Sequence, residues 1–184
     1  MKRFSLLLLA LTSLSASAAD YNVVDAAKSN LTFTYRQMGV PVDGRFGKFA
    51  VAMDFDPARP AAAKAAIDVD LASIDTGSPE GNDEVAGKSW FDSKTYPVAR
   101  FVSTAVKPLG GNRYDLSGKL TMKGRTKDVN AQFAFAPAGA GAVFDGAIVI
   151  KRGDFAVGEG EWADFGTVAN EVQIKFHILA TARK

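Results

Sequence analysis

Val172-Gln173-Ile174-Lys175-Phe176-His177-Ile178 carries a large apolar side chain at every second position and a polar one between them. That is the period of an extended strand with one face buried and the other in water. The same rhythm recurs upstream. Leu31, Phe33 and Tyr35 alternate with Thr32 and Thr34; Phe49, Val51, Met53 and Phe55 with Ala50, Ala52 and Asp54; Ile67, Val69 and Leu71 with Asp68 and Asp70. It returns over 114–121 and 129–135, whereas 99–106 and 142–151 are apolar on both faces, as in strands covered on each side. With a first strand near 21–24, the chain reads as eight or nine strands.

Turn chemistry separates these runs: Asp43-Gly44, Asp56-Pro57, Gly110-Gly111-Asn112 and Lys123-Gly124. Short connections make sequence neighbours antiparallel partners. One segment, 78–90, reads as a short helical insert, with Ser78 as N-cap, Pro79 at the first helical position and Glu80 in the first turn. The expected fold is therefore all-β, an antiparallel barrel of roughly eight strands with that insert. Closure removes exposed strand edges. A two-sheet sandwich is the alternative.

Composition narrows the chemistry. The chain has 184 residues, no Cys and one His. Thiol nucleophiles, disulfides, Fe–S clusters and Cys-based zinc sites are excluded, and so is a multi-His metal site. His177 falls in the polar phase of its strand, so it reads as an outward residue rather than a base. Asp54 and Asp56, and Asp68 and Asp70, share strand faces but lack the surroundings of a glycosidase or calcium site, and read as solvated outward pairs. No enzyme activity is expected, and no metal site or cofactor.

Met1-Lys2-Arg3, an apolar run to Leu14 and Ala16-Ser17-Ala18 have the three parts of a cleavable secretory signal, expected over 1–18, with the barrel domain over 19–184. Two of the 22 Lys+Arg and none of the 20 Asp+Glu lie in that leader, so 19–184 carries no net charge with His neutral. A balanced charge gives no reason to expect nucleic acid as partner, and no second apolar run suggests stable membrane insertion. Export without Cys points to a periplasm or the exterior of a bacterial cell.

Several stretches, in order along the chain, resemble the YceI-like family of polyisoprenoid-binding envelope proteins. They are Tyr21-Asn22-Val23-Val24-Asp25 with Lys28 to Phe33; Gln37-Met38-Gly39-Val40-Pro41-Val42-Asp43-Gly44-Arg45-Phe46; Asp83-Glu84 with Trp90-Phe91-Asp92; Tyr96-Pro97 to Ser103; Leu120 to Thr126; and Arg152-Gly153-Asp154-Phe155. The resemblance implies a lipocalin-like barrel with a lengthwise apolar tunnel for a long isoprenoid-type or other amphiphilic lipid. Members carry His residues beside the second strand, where this chain has Lys28 and Arg36 or Gln37, and an Arg-Asp-x-His-Leu run where it has Asn82 to Ala86. This is a His-poor variant, with a different head-group site implied and an isoprenoid quinone among the expected ligands.

The inward phase nominates Phe33, Tyr35, Phe49, Val51 and Met53, then Phe101, Leu116, Phe133 and Phe176, as lipid-contacting residues. Trp90, Phe91 and Phe155 lie beside turns or the insert, where a mouth is expected. Arg36, Arg45, Arg100 and Arg152 are the head-group candidates, because a guanidinium fork suits phosphate or carbonyl oxygen. The competing reading is an envelope stress or interaction module whose aromatic rings simply fill a sandwich or barrel core. Nothing in the strand pattern fixes the oligomeric state, so a homodimer stays possible.

Overall fold

The computed structural model describes residues 20–182; the expected signal segment lies outside them. The strands are β1 Tyr21–Val24, β2 Asn30–Gln37, β3 Val40–Phe46, β4 Phe49–Asp54, β5 Lys64–Asp70, β6 Ile74–Asp75, β7 Val98–Gly110, β8 Arg113–Met122, β9 Arg125–Ala138, β10 Gly141–Lys151 and β11 Glu171–Ala182. One helix, α1 Pro79–Ala86, stands in the expected insert, and the Ser78 side chain accepts the Gly81 N–H at 3.0 Å.

All strands belong to one antiparallel sheet in the order β4-β5-β7-β8-β9-β10-β11-β2-β3-β6, with β1 also on β11. This excludes the two-sheet sandwich. The path returns on itself, because β3 runs through Gly47 and Lys48 into β4, and β5 runs through a 3-10 turn into β6, which pairs with β3. β1 and β2 share one edge of β11, at its C-terminal end and its N-terminal half respectively. Eleven strands therefore make eight staves, three of them broken in two.

Each break has a local cause. Asp25 and Asp70 turn the chain by accepting the backbone N–H groups of Ala27 and Ala72. At the third, the Gly47 N–H bonds Ser73 O at 2.8 Å, which fixes the bend between β3 and β4. The β2–β3 and β8–β9 hairpins close with two-residue loops, Met38-Gly39 and Lys123-Gly124, in which both residues have positive φ. That turn matches the twist of the flanking strands.

The acidic pairs are not uniformly solvated, as their strand positions suggest. Asp68 pairs with Arg100 at 3.0 Å, and Asp70 is the turn cap just named. Asp56 is buried; it accepts the Ala58 N–H and pairs with Arg59 Nε at 2.7 Å. His177 lies against Asp145 at 2.6 Å, on a half-exposed cross-strand pair.

Two apolar clusters occupy the interior. In one, Phe55 sits among Tyr114, Phe133, Phe135 and Phe144 with ring centroids 5.1–5.9 Å apart, mostly edge to face. The other gathers Phe33, Leu71, Trp90, Phe155, Val157 and Val168 near α1 and the 152–170 connection.

Candidate lipid-binding cavity

A cavity of about 300 Å³ runs between these clusters and touches both. Its wall is almost entirely apolar. Of the residues nominated from sequence, Phe33, Tyr35, Val51, Met53, Trp90 and Phe91 line it, as do Phe101, Leu116, Phe133 and Phe176. Phe49 and Phe155 do not. Phe49 packs half-buried against the Phe55 cluster, and Phe155, 1% exposed, is solid core under the 152–170 connection. The alternation in β4 cannot show that Phe49 lies at the bend where the stave leaves the lumen.

Three lining rings share one device. Phe33, Phe101 and Phe176 each lie over a glycine of the neighbouring strand, respectively Gly44, Gly118 and Gly146, so closely that a Cβ there would strike the ring. A glycine under a ring lets the aromatic side chain lie along the sheet. The lumen gains the space that an upright ring would take.

The four arginines separate sharply. Arg36 donates to Gly39 O and braces the β2–β3 turn, Arg45 pairs with Asp75, and Arg100 pairs with Asp68. All three are exposed and outside the cavity wall. Arg152 is on the wall and 2% exposed. Its Nε donates to Ala169 O, one terminal nitrogen to Val157 and Gly158 carbonyls, and the other to Trp162 and Val168 carbonyls, at 2.7–3.2 Å. Its five N–H groups are matched by five carbonyls, and the guanidinium lies 5.3 Å from the Trp90 ring and 4.9 Å from that of Phe165. Burial draws its pKa below the usual guanidinium range.

Residues that the periodicity does not single out complete the wall. Trp162 stands 5.5 Å from Trp90 and donates its Nε1–H to Glu84 of α1 at 2.7 Å. Phe46, Val85 and Phe144 also line the lumen. Trp162, Val85 and Glu84 lie in short helical segments, where no strand phase marks them as inward. The Trp90 Nε1 is buried with no partner among the described residues.

A family model described as the YceI-like domain matches residues 22–180. The chain is a member of the YceI-like family. A UPF0312 protein of Vibrio cholerae is 32% identical over 152 residues, spanning 78% of this chain and 80% of the relative. One from Pseudomonas fluorescens is 31% identical over 166 residues, with 84% and 76% covered. Among solved structures, the crystal structure of Burkholderia cenocepacia BcnA is similar at a TM-score of 0.84 and 51% identity, over 86% of this chain and 99% of BcnA. A polyisoprenoid binding domain from Saccharophagus degradans shares this YceI-like fold at a TM-score of 0.68 and 20% identity, with 90% and 99% covered. The YceI-like architecture is thus the barrel described above.

Proposed function

We propose that this YceI-like protein is an exported carrier that holds a long isoprenoid-type or other amphiphilic lipid, a polyprenyl chain or a quinone, for transport, storage or sequestration in the periplasm. The observation that carries this reading is the apolar cavity of about 300 Å³ inside a barrel in which three lining rings, Phe33, Phe101 and Phe176, lie over glycines of the neighbouring strands. Moving a lipid tail from water into such a space is worth about 0.8 kcal/mol per methylene. A similar barrel, that of Saccharophagus degradans, is described as a polyisoprenoid binding domain. The charged residues on the wall are Asp54, Lys64, Glu84 and Arg152, and Arg152 is committed to backbone carbonyls. That set favours binding over catalysis. A barrel filled throughout with side chains does not account for the cavity.

Purification from the producing bacterium, followed by mass spectrometry of the organic extract, tests the reading. A long-chain lipid at close to one per protein is the expected result. Repeated recovery of empty protein that takes up no added prenyl lipid or quinone overturns it. Ile67→Trp, which puts an indole at a half-buried position on the cavity wall, is expected to weaken uptake at least tenfold. His177→Ala, outside that wall, is expected to leave it unchanged; equal effects would place the ligand elsewhere.

A further inference from the structure

Among the described residues, Met38 is the most exposed large apolar side chain, 78% in water at the tip of the β2–β3 hairpin. Its backbone sits at φ +49°, in a two-residue turn that asparagine followed by glycine suits best. The matching turn of β8–β9 puts its first position to use inside the fold, where Lys123 donates to Lys88 O, Ala156 O and Glu159. Met38 belongs to neither apolar cluster, so no internal packing offsets its left-handed backbone or its wetted thioether. Val40 lies two residues from Val42, which pairs with the lining residue Tyr35, and so shares the lumen phase of the hairpin. It is nevertheless 62% exposed. The hairpin therefore outruns the rim of the barrel.

The tip is tied to that rim. The Met38 N–H bonds Thr167 O at 2.8 Å and Gln37 bridges to Val168; Gln37 and Val168 both line the cavity. Phe165, three residues before Val168, lies over the Arg152 guanidinium and is 48% exposed. Asp164 beside it accepts the Gly166 N–H. Arg36, at the foot of the turn, gives one N–H to Gly39 O, and its other N–H groups have no partner among the described residues. A stable protein–protein interface buries about 800 Å² on each partner, more than a narrow hairpin tip and one neighbouring ring supply. Apolar side chains on a projecting tip with a guanidinium beside them instead fit a bilayer surface, where the apolar groups enter below the head groups and the cation meets lipid phosphate. We propose that Met38 and Val40, with Phe165 beside them, dock the barrel shallowly on a bilayer containing anionic phospholipid, with Arg36 facing the phosphates. The rim of the cavity then meets the membrane. This goes beyond the carrier reading, since the tip docks whatever the barrel holds; for a carrier, it lets cargo pass between bilayer and lumen without crossing water.

Flotation with vesicles of phosphatidylethanolamine and phosphatidylglycerol tests the docking. The native protein is expected to float with the vesicles. Met38→Asn is expected to lower the bound fraction at least fivefold without lowering the melting temperature, because asparagine is the residue this turn prefers. Val40→Thr is expected to lower it severalfold, and Arg36→Gln to lower it more on these vesicles than on phosphatidylcholine alone. Val149→Thr, which alters a comparably exposed valine on β10, is expected to leave it unchanged. A native protein that stays in the buffer, binding unaffected by Met38→Asn, or a loss that Val149→Thr shares overturns the proposal. So does a dimer that Met38→Asn dissolves in a protein that binds no vesicles, which would give the tip to a second copy. Uptake of added prenyl lipid in vesicle-free buffer is read separately, and its failure removes the carrier reading without touching the docking.

Discussion

Arg152 is a buried cation with no carboxylate beside it, and its charge is balanced by the negative ends of five carbonyl dipoles drawn from 157–169. The guanidinium thereby fixes an irregular connection that no strand ladder stabilises. An ammonium has three donors and no fork, so Arg152→Lys leaves at least two of those carbonyls without their partner. We expect a loss of about 3 kcal/mol or more in urea unfolding, because bonds to charged donors are worth roughly 1.5–3 kcal/mol each. A loss below 1 kcal/mol would mean that water replaces the guanidinium freely. The sequence reading placed this residue among four equivalent arginines. Nothing local distinguishes it, since the partners that use up its donors come from across the following connection.

At the scale of the strand, the pairing of ring and glycine explains why the lumen stays open. Gly146 stands opposite Phe176 in the β10–β11 register, and Gly44 stands opposite Phe33 in β2–β3. Gly146→Ala would push the Phe176 ring away from the wall and into the cavity. The expected outcome is lipid uptake reduced severalfold, with a stability cost of about 1–3 kcal/mol, the usual range for overpacking. Calorimetry and a lipid-loading assay on the same preparation check both parts, and unchanged uptake would show that the ring has another place to go. Nine of the strands were legible from alternation or from apolar runs, and Ser78-Pro79-Glu80 marked α1 for the same local reason; β3 and β6 were not, because Asp43-Gly44, which reads as a turn, lies inside β3, and β6 is only two residues long. The ring–glycine pairs were not legible. Each joins two runs whose relative register no single strand encodes.

Over the whole molecule, the barrel is completed at one point by two backbone bonds between Tyr21 and Phe55, at 2.9 and 3.2 Å. The next residue, Asp56, is tied to Arg59, which also reaches Asp20 at 3.8 Å. The Arg59 hydrogen bond, followed by the Ala58 N–H, holds the Asp56 carboxyl below its ordinary value of 3.8. A depressed carboxylate pKa adds stability that is present above the ordinary value and is lost as pH falls through the folded one. The native protein should therefore lose stability below about pH 4, and Asp56→Asn should lose less over the same interval. A parallel loss in both, followed by thermal unfolding from pH 7 down to pH 3, would remove Asp56 from the account. A barrel of roughly eight strands was anticipated from the count of strand-like runs. The making of its eight staves from eleven strands was not, because Asp25, Gly47 and Asp70 bend the chain without interrupting its apolar phase.

The glycine-backed rings have a calorimetric consequence. Phe33, Phe101 and Phe176 already lie flat before any guest arrives, so loading needs little rearrangement of the wall and little further ordering of side chains. Uptake should then give a negative heat-capacity change from tail burial, with a favourable enthalpy at room temperature in place of the entropy-driven signal of a site that collapses around its ligand.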